Sequence, residues 1–249
     1  MVSWFGHDGA TLARRLGLPR VEAHRTLGST MDTAHALAAA GAPAGTLVLA
    51  EAQTSGRGRG GRTWSSSPAA GLWGTMIERP TDTEAIAVLS LRVGLALAPA
   101  LEAWTSGPVT LKWPNDLFVG DGKLAGVLVE ARWRGDRPDW VAIGVGVNLA
   151  RPTDVAVPTA HLGPVAPATL VAAVVDAVRT AATAMGPLTD AERAAFAARD
   201  LAHGRPILGP VPGRAKGISA SGALLVETAA GLSPQASGSL IFAAIEGGD

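Results

Sequence analysis

The 249-residue chain is 47% hydrophobic and 17% charged, a balance that supports a buried core and excludes an intrinsically disordered chain. Lys+Arg and Asp+Glu both total 21, so the net charge is zero; a general nucleic-acid binder carries a basic excess, and any positive patch here must be local. Cysteine is absent, which removes disulfides, thiolate metal sites and cysteine nucleophiles together and fits a reducing cytoplasm.

Residues 1–20 form a lead-in with one or two helical turns around residues 10–16. It lacks the continuous apolar core of a signal peptide and is too short for a three-helix DNA-binding domain. A strand is predicted over residues 21–26, then a helix from Gly28-Ser29-Thr30 to Gly41, with Ser29 or Thr30 as N-cap and Gly41 as the stop. Residues 46–51 and 72–77 read as strands, and 84–104 as a long apolar helix packed on a sheet. Ser90, Arg92 and Pro99 interrupt that helix's apolar run, so it does not read as a membrane span. Strands follow over 109–113, 116–119, 124–133 and 140–147, with Asp121-Gly122 as a hairpin turn, then helices over 167–185 and 189–203. From Arg205 the chain changes to short β segments with glycine turns, the pattern of a small antiparallel barrel or sandwich. The expected division is 1–203 and 204–249. The element order gives an α+β chain with a mixed or antiparallel sheet, not regular βαβ winding.

The stretch GRGRGGRTW, residues 56–64, concentrates three arginines and four glycines. Glycine lets the main chain approach a ligand, and Arg57, Arg59 and Arg62 offer guanidinium donors suited to phosphate or carboxylate. The stretch lacks the P-loop spacing, and no helix clearly starts at Gly61 to make a Rossmann turn. RGRGGR resembles RNA-binding tails, but here apolar strands flank it. A ligand-binding loop and a plain surface turn both remain open on composition. A ligand loop of this kind is expected to be mobile through like-charge repulsion until an anion orders it.

Of the 21 basic residues only Lys112, Lys123 and Lys216 are lysine. Where arginine serves as the general cation, a retained lysine points to a need for a compact ammonium. Lys112 opens KWPND (112–116), Lys123 lies in GKLAGVLVE (122–130), and the two are expected on neighbouring strands beside the Gly/Arg loop. GVGVN (144–148) ends an apolar strand in Asn148, a turn residue or a ligand contact. His7, His24, His35, His161 and His203 show no metal-ligand spacing.

Together GST before a helix, EAQTSGRGRGGRTW, KWPND, GKLAGVLVE and GVGVN resemble the biotin–protein ligase family in order and spacing, strongly over residues 21–148. KGISASGALLVET is similar to the family's small SH3-like domain. The resemblance implies a mixed β-sheet with helices packed on one face, plus that small C-terminal β-barrel. It implies activation of biotin by ATP to biotinoyl-5′-AMP, with Mg²⁺ on the phosphates, and transfer to a lysine of a biotin carboxyl carrier domain. It implies a monofunctional, cytoplasmic enzyme with no nucleic acid or membrane partner. A lipoate or octanoate ligase of the same fold is the near alternative, and an RNA-binding module acting through RGRGGR the distant one.

Carried onto this chain, the biotin contacts fall on Ser29, Thr30, Met31, Gln53, Arg57, Gly58, Arg59, Lys123 and Gly126. Met31 departs from the family's usual asparagine and offers only main-chain polar atoms. The adenylate side falls on Arg59, Arg62, Trp64, Lys112, Asn115 and Asn148, where Trp64 either stacks on adenine or anchors the loop. Lys123, Lys112, Arg57 and Asp116 are the expected catalytic groups, Asp116 being either the base for the incoming amine or a turn cap. No metal site made of protein ligands is expected.

Overall fold

The computed structural model describes residues 3–151 and 157–243; residues 244–249 of the expected C-terminal domain and residues 1–2 of the lead-in lie outside it. In chain order the elements are α1 (Gly9–Leu16), β1 (Arg20–Leu27), α2 (Thr30–Ala39), β2 (Thr46–Gln53), β3 (Gly71–Glu78), α3 (Thr83–Glu102), β4 (Val109–Lys112), β5 (Asp116–Val119), β6 (Gly122–Arg134) and β7 (Arg137–Asn148). Then come α4 (Pro167–Ala182), α5 (Asp190–Ala197), β8 (Pro206–Gly209), β9 (Gly213–Ile218), β10 (Leu224–Thr228), β11 (Gly231–Gln235) and β12 (Ile241–Phe242). Seven strands form one sheet in the order β1-β2-β3-β7-β6-β5-β4, parallel between β1 and β2 and antiparallel elsewhere. The mixed α+β sheet is as expected.

Period-two alternation sorts the strand side chains onto two faces. Leu47, Leu49, Met76 and Ile143 join the main core, into which α3 and α4 bury their apolar sides. Their neighbours Val48, Ile77 and Ala142 face the other way and pack with Met31, Ala34 and Ala38 of α2. The expectation of helices on one face therefore holds for α3 and α4 but not for α2. Small residues let α2 lie close on its face, and its N-terminus points to the site. Ser29 starts it, accepting the Met31 N–H at 3.2 Å, and Gly41, at φ 88°, ends it.

Among the described residues, α3 is the helix long and apolar enough to cross a membrane, yet Val88, Leu89, Val93, Leu97 and Leu101 are buried in the core. Its Arg92 is buried too, bound to the Glu192 carboxylate at 2.7 Å and to the Gly186, Met185 and Pro187 carbonyls. This explains why the helix expected to run to 185 stops at Ala182: the 185–187 carbonyls turn inward to Arg92. The helix expected to run to 203 stops at Ala197, because the next residues cover the β4 edge. Leu111 N–H donates to Arg199 O at 2.8 Å, and Leu201 N–H to Leu111 O at 2.9 Å.

Lys112 and Lys123 are not on neighbouring strands. β5 lies between β4 and β6, pairing Asp116 with Lys112 on one side and Phe118 with Lys123 on the other. The C-terminal strands form an antiparallel sheet in the order β11-β10-β9-β8-β12, consistent with a small SH3-like domain. One of its turns docks on the larger sheet and its helices: the Trp113 indole N–H donates to Gly222 O at 2.9 Å, and Leu188 N–H to Ala220 O at 2.8 Å. At Gly222 a Cβ would come within 2.9 Å of Leu91 and 3.1 Å of Val88, so the turn sits directly on α3.

Candidate active site

A cavity of about 280 Å³ opens where the N-terminus of α2, the end of β2, the 54–70 loop and the strands β3, β5, β6 and β7 converge. Ser29, Thr30, Met31, Gln53, Arg57, Gly58, Arg59, Arg62, Trp64, Asn115, Asp116, Lys123 and Gly126 all line it. So do Thr75, Trp73, Gly144 and Gly146, which sequence reasoning missed because each reads as an ordinary strand residue.

One wall is a polar ladder. Thr75 Oγ1 donates to Thr30 Oγ1 at 2.9 Å, and the Thr30 N–H and hydroxyl both donate to Gln53 Oε1, at 2.8 and 3.0 Å. Gln53 Nε2 donates to Ser66 Oγ at 2.7 Å, which fixes the amide orientation. Met31 fills the space beside Gly144, where a Cβ would meet its methyl at 2.9 Å. The Met31 N–H is spent on Ser29, so neither a side-chain amide nor that N–H faces the cavity.

The Gly/Arg stretch is a tight hairpin, with Trp64 N–H bonded to Gly56 O at 2.9 Å and Gly58 N–H to Arg62 O at 2.7 Å. Gly60 and Gly61, at φ 68° and 76°, make its tip, where a side chain would be strained. The expected charge repulsion is met by the protein itself. Arg57 pairs with Asp32 and Glu130, both at 2.6 Å, while Arg59 donates to Gly238 O at 2.5 Å and lies 6.0 Å from the Trp113 ring centroid. The hydrogen bond to Asp32 holds the Arg57 pKa above its ordinary value; burial, and then the like charge of Arg62, lowers that of Arg59. RGRGGR is thus the tip of a hairpin over a cavity, not a tail.

Trp64, closing the hairpin, lies on bare backbone: a Cβ at Gly126 or Gly146 would reach 2.7 or 2.8 Å from its ring. Lys123 Nζ sits 4.7 Å from the Trp64 ring centroid and 2.7 Å from Asp116 Oδ1. Lys112 stands beside this group but not in the cavity; its Nζ lies 5.6 Å from the Phe118 ring centroid and 5.3 Å from that of Phe242. Burial lowers the Lys112 pKa, opposed by the Asp116 carboxylate. Asn148 also lies outside the cavity. Its amide donates to the carbonyls of Lys123 and Ala160, at 3.0 and 3.1 Å, fastening the chain after β7 against Lys123. The Asn115 amide donates to Val127 O at 2.7 Å.

Beneath Arg57, His35 Nε2 lies 3.0 Å from Glu130 Oε2 and the Trp140 indole N–H donates to His35 Nδ1 at 2.9 Å. Burial lowers the His35 pKa from 6.5, more than the Glu130 hydrogen bond raises it. The unfolded chain therefore binds the proton more readily, so this contribution is present above pH 6.5 and is lost as the pH falls below it. Buried Glu78 and Asp200, whose pKa values burial raises, act in the opposite sense. The melting temperature of the wild type should drop more between pH 7.5 and 5.5 than that of His35→Gln; equal drops would remove His35 from the account.

Among the described residues no group of three His, Asp or Glu side chains is arranged to hold a metal. The model of the biotin/lipoate A/B protein ligase family matches residues 23–148. A biotin–acetyl-CoA-carboxylase ligase of Paracoccus denitrificans is 44% identical over 111 residues, 43% of this chain and 45% of the relative. The chain spans less than half the length of the curated relatives it matches. A biotin protein ligase from Leishmania major solved with biotinyl-5-AMP superposes with a TM-score of 0.59 at 26% identity, over 90% of this chain and 99% of that one. The Aquifex aeolicus biotin protein ligase, solved with biotin and ATP, shares the fold at a TM-score of 0.72 and 24% identity, over 90% of this chain and 98% of that one.

Proposed function

We propose a reaction from the premise that this chain belongs to the biotin/lipoate A/B protein ligase family: it joins biotin to AMP and passes the biotinoyl group to a lysine of a biotin carboxyl carrier domain. The observation that carries this reading is Lys123, held at the cavity between Asp116 and the Trp64 ring. In the first step a biotin carboxylate oxygen attacks the α-phosphorus of ATP, the bond to the bridging oxygen breaks, and pyrophosphate leaves. Two anions at about 4 Å repel by roughly 4 kcal/mol at an effective dielectric constant of about 20. Lys123, Arg59 and Arg62 can offset that repulsion and stabilise the charge that develops on the phosphoryl oxygens. Mg²⁺ would travel with the nucleotide phosphates, since the described residues supply no carboxylate cluster for it.

The polar ladder of Thr75, Thr30 and Gln53 is suited to the ureido group, and the apolar side made by Met31, Leu128 and Gly144 to the fused rings. In the second step the carrier lysine must lose a proton before it attacks the acyl carbon and AMP departs. Asp116 accepts that proton once Lys123 has turned from it to the acyl phosphate. We place the enzyme in the cytoplasm, and its working division at 1–203 and 204–249.

Asp116→Asn should still make adenylate but transfer it about a hundredfold more slowly; equal transfer rates in single-turnover assays would end the base role. The class is tested by incubating the chain with ATP, Mg²⁺ and a purified carrier domain, with biotin, lipoate or octanoate in turn. Mass addition to the carrier with biotin alone is expected. Addition with lipoate or octanoate and not biotin would move the chain to the other branch of the family.

A further inference from the structure

Arg57 spans the cavity mouth between two elements distant in the chain. It donates to Asp32 on α2 and to Glu130 on β6, both at 2.6 Å. Glu130 is itself held. Its second oxygen meets His35 Nε2 at 3.0 Å, and the Glu130 side chain is only 19% exposed. The tautomer follows from the third link. An indole N–H can only donate, so His35 Nδ1 accepts from Trp140, and the neutral ring carries its proton on Nε2, toward Glu130. Asp32 and His35 are three residues apart on α2 and share a face. One helix face thus supplies both the second carboxylate on Arg57 and the donor that orients the first.

We propose that Glu130 is a positioning residue for substrate binding: steered by His35 and Trp140, it clamps Arg57 together with Asp32 and so holds the 56–64 hairpin over the cavity. Two consequences follow. The Arg57 charge is already compensated, so neutralising the ligand's carboxylate falls to Lys123 and Arg59. By tying the hairpin to α2 and β6 at the cavity mouth, the clamp acts on affinity rather than on the chemical step. The inference rests on the reading of the cavity as a biotin site.

The test is titration calorimetry of biotin and single-turnover adenylation on the wild type, Glu130→Gln, His35→Phe, His35→Gln and the double variant Glu130→Gln/His35→Phe. Wild-type binding checks the functional reading by itself; if the wild type takes up no biotin, that reading fails. Given binding, Glu130→Gln should weaken biotin about tenfold, with ATP affinity and the adenylation rate at saturating biotin changed less than about twofold. His35 touches neither the hairpin nor the cavity, yet His35→Phe should weaken biotin in the same direction. His35→Gln, which keeps a donor near the Nε2 position, should restore binding, and the double variant should be no worse than Glu130→Gln alone. Wild-type affinity in Glu130→Gln overturns the proposal, as does a loss confined to the adenylation rate. If Glu130→Gln melts far below the wild type, the two His35 variants decide: equal affinity in both overturns it.

Discussion

Lys123→Ala is expected to slow adenylate formation by about a thousandfold, the scale seen when a preorganised donor to developing charge is removed from a shielded site. The effect should be large because Arg59, held to Gly238 O, and Arg62, held to Arg59 O, can supply only part of the lost charge. Arg57 is committed to Asp32 and Glu130, and Lys112 points between Phe118 and Phe242. The variant loses the side-chain contacts with Asp116 and the Trp64 ring but should keep its fold, since the main-chain ties of residue 123 stay. Its N–H donates to Pro158 O at 3.0 Å, and its carbonyl accepts from Ala160 N–H at 2.9 Å and from the Asn148 amide. Lys123→Arg should not rescue. The ammonium sits between the Trp64 ring and Asp116, and a planar guanidinium there loses the compact point contact and displaces one of them. Rapid quench with α-labelled ATP and saturating biotin measures both variants. Activity within tenfold of wild type in Lys123→Ala would remove the assignment.

Arg92→Met should destabilise the protein by about 3 kcal/mol or more without touching the cavity. Arg92 is 3% exposed and reaches Glu192 at 2.7 Å and the carbonyls of Gly186 and Pro187 at 3.0 and 2.8 Å. Methionine fills much of the space but leaves a carboxylate and those carbonyls without their donor. At roughly 2–4 °C per kcal/mol for a chain of this size, the melting temperature should fall by about 10 °C at neutral pH. Arg92 also holds the Glu192 pKa below its ordinary 4.5, chiefly through a side-chain hydrogen bond. A carboxylate of lowered pKa stabilises above its ordinary value and loses that contribution as the pH falls through the lowered one, so the gap between wild type and variant should narrow below about pH 4.5. A gap constant down to pH 3, or no gap at pH 7, would contradict this.

Local physics was legible in the sequence. Ser29 and Gly41 mark the ends of α2, turn glycines separate the strands, and the arginine bias picks out Lys112, Lys123 and Lys216, of which Lys123 lines the cavity. Long-range pairing was not. Arg57 reads as a free cation because its carboxylates lie 25 and 73 residues away. Asn148 stays open between turn residue and ligand contact in the sequence because its acceptors, Lys123 O and Ala160 O, are main-chain atoms with no sequence signature. The helix ends at Ala182 and Ala197 depend on the buried Arg92 and the β4 edge, which periodicity along the chain does not encode. The second face of the sheet, taken by α2, follows from small residues that carry only a weak amphipathic pattern.

Formation of an acyl-adenylate in this cavity is the step on which the proposed function turns. The direct measurement is acid-quench analysis of the purified chain with biotin, Mg²⁺ and α-labelled ATP, with no carrier present. About one protein-bound biotinoyl-AMP per chain, with an equal amount of pyrophosphate released, is the predicted result. ATP left intact beside bound biotin, or AMP formed without biotin, would contradict it.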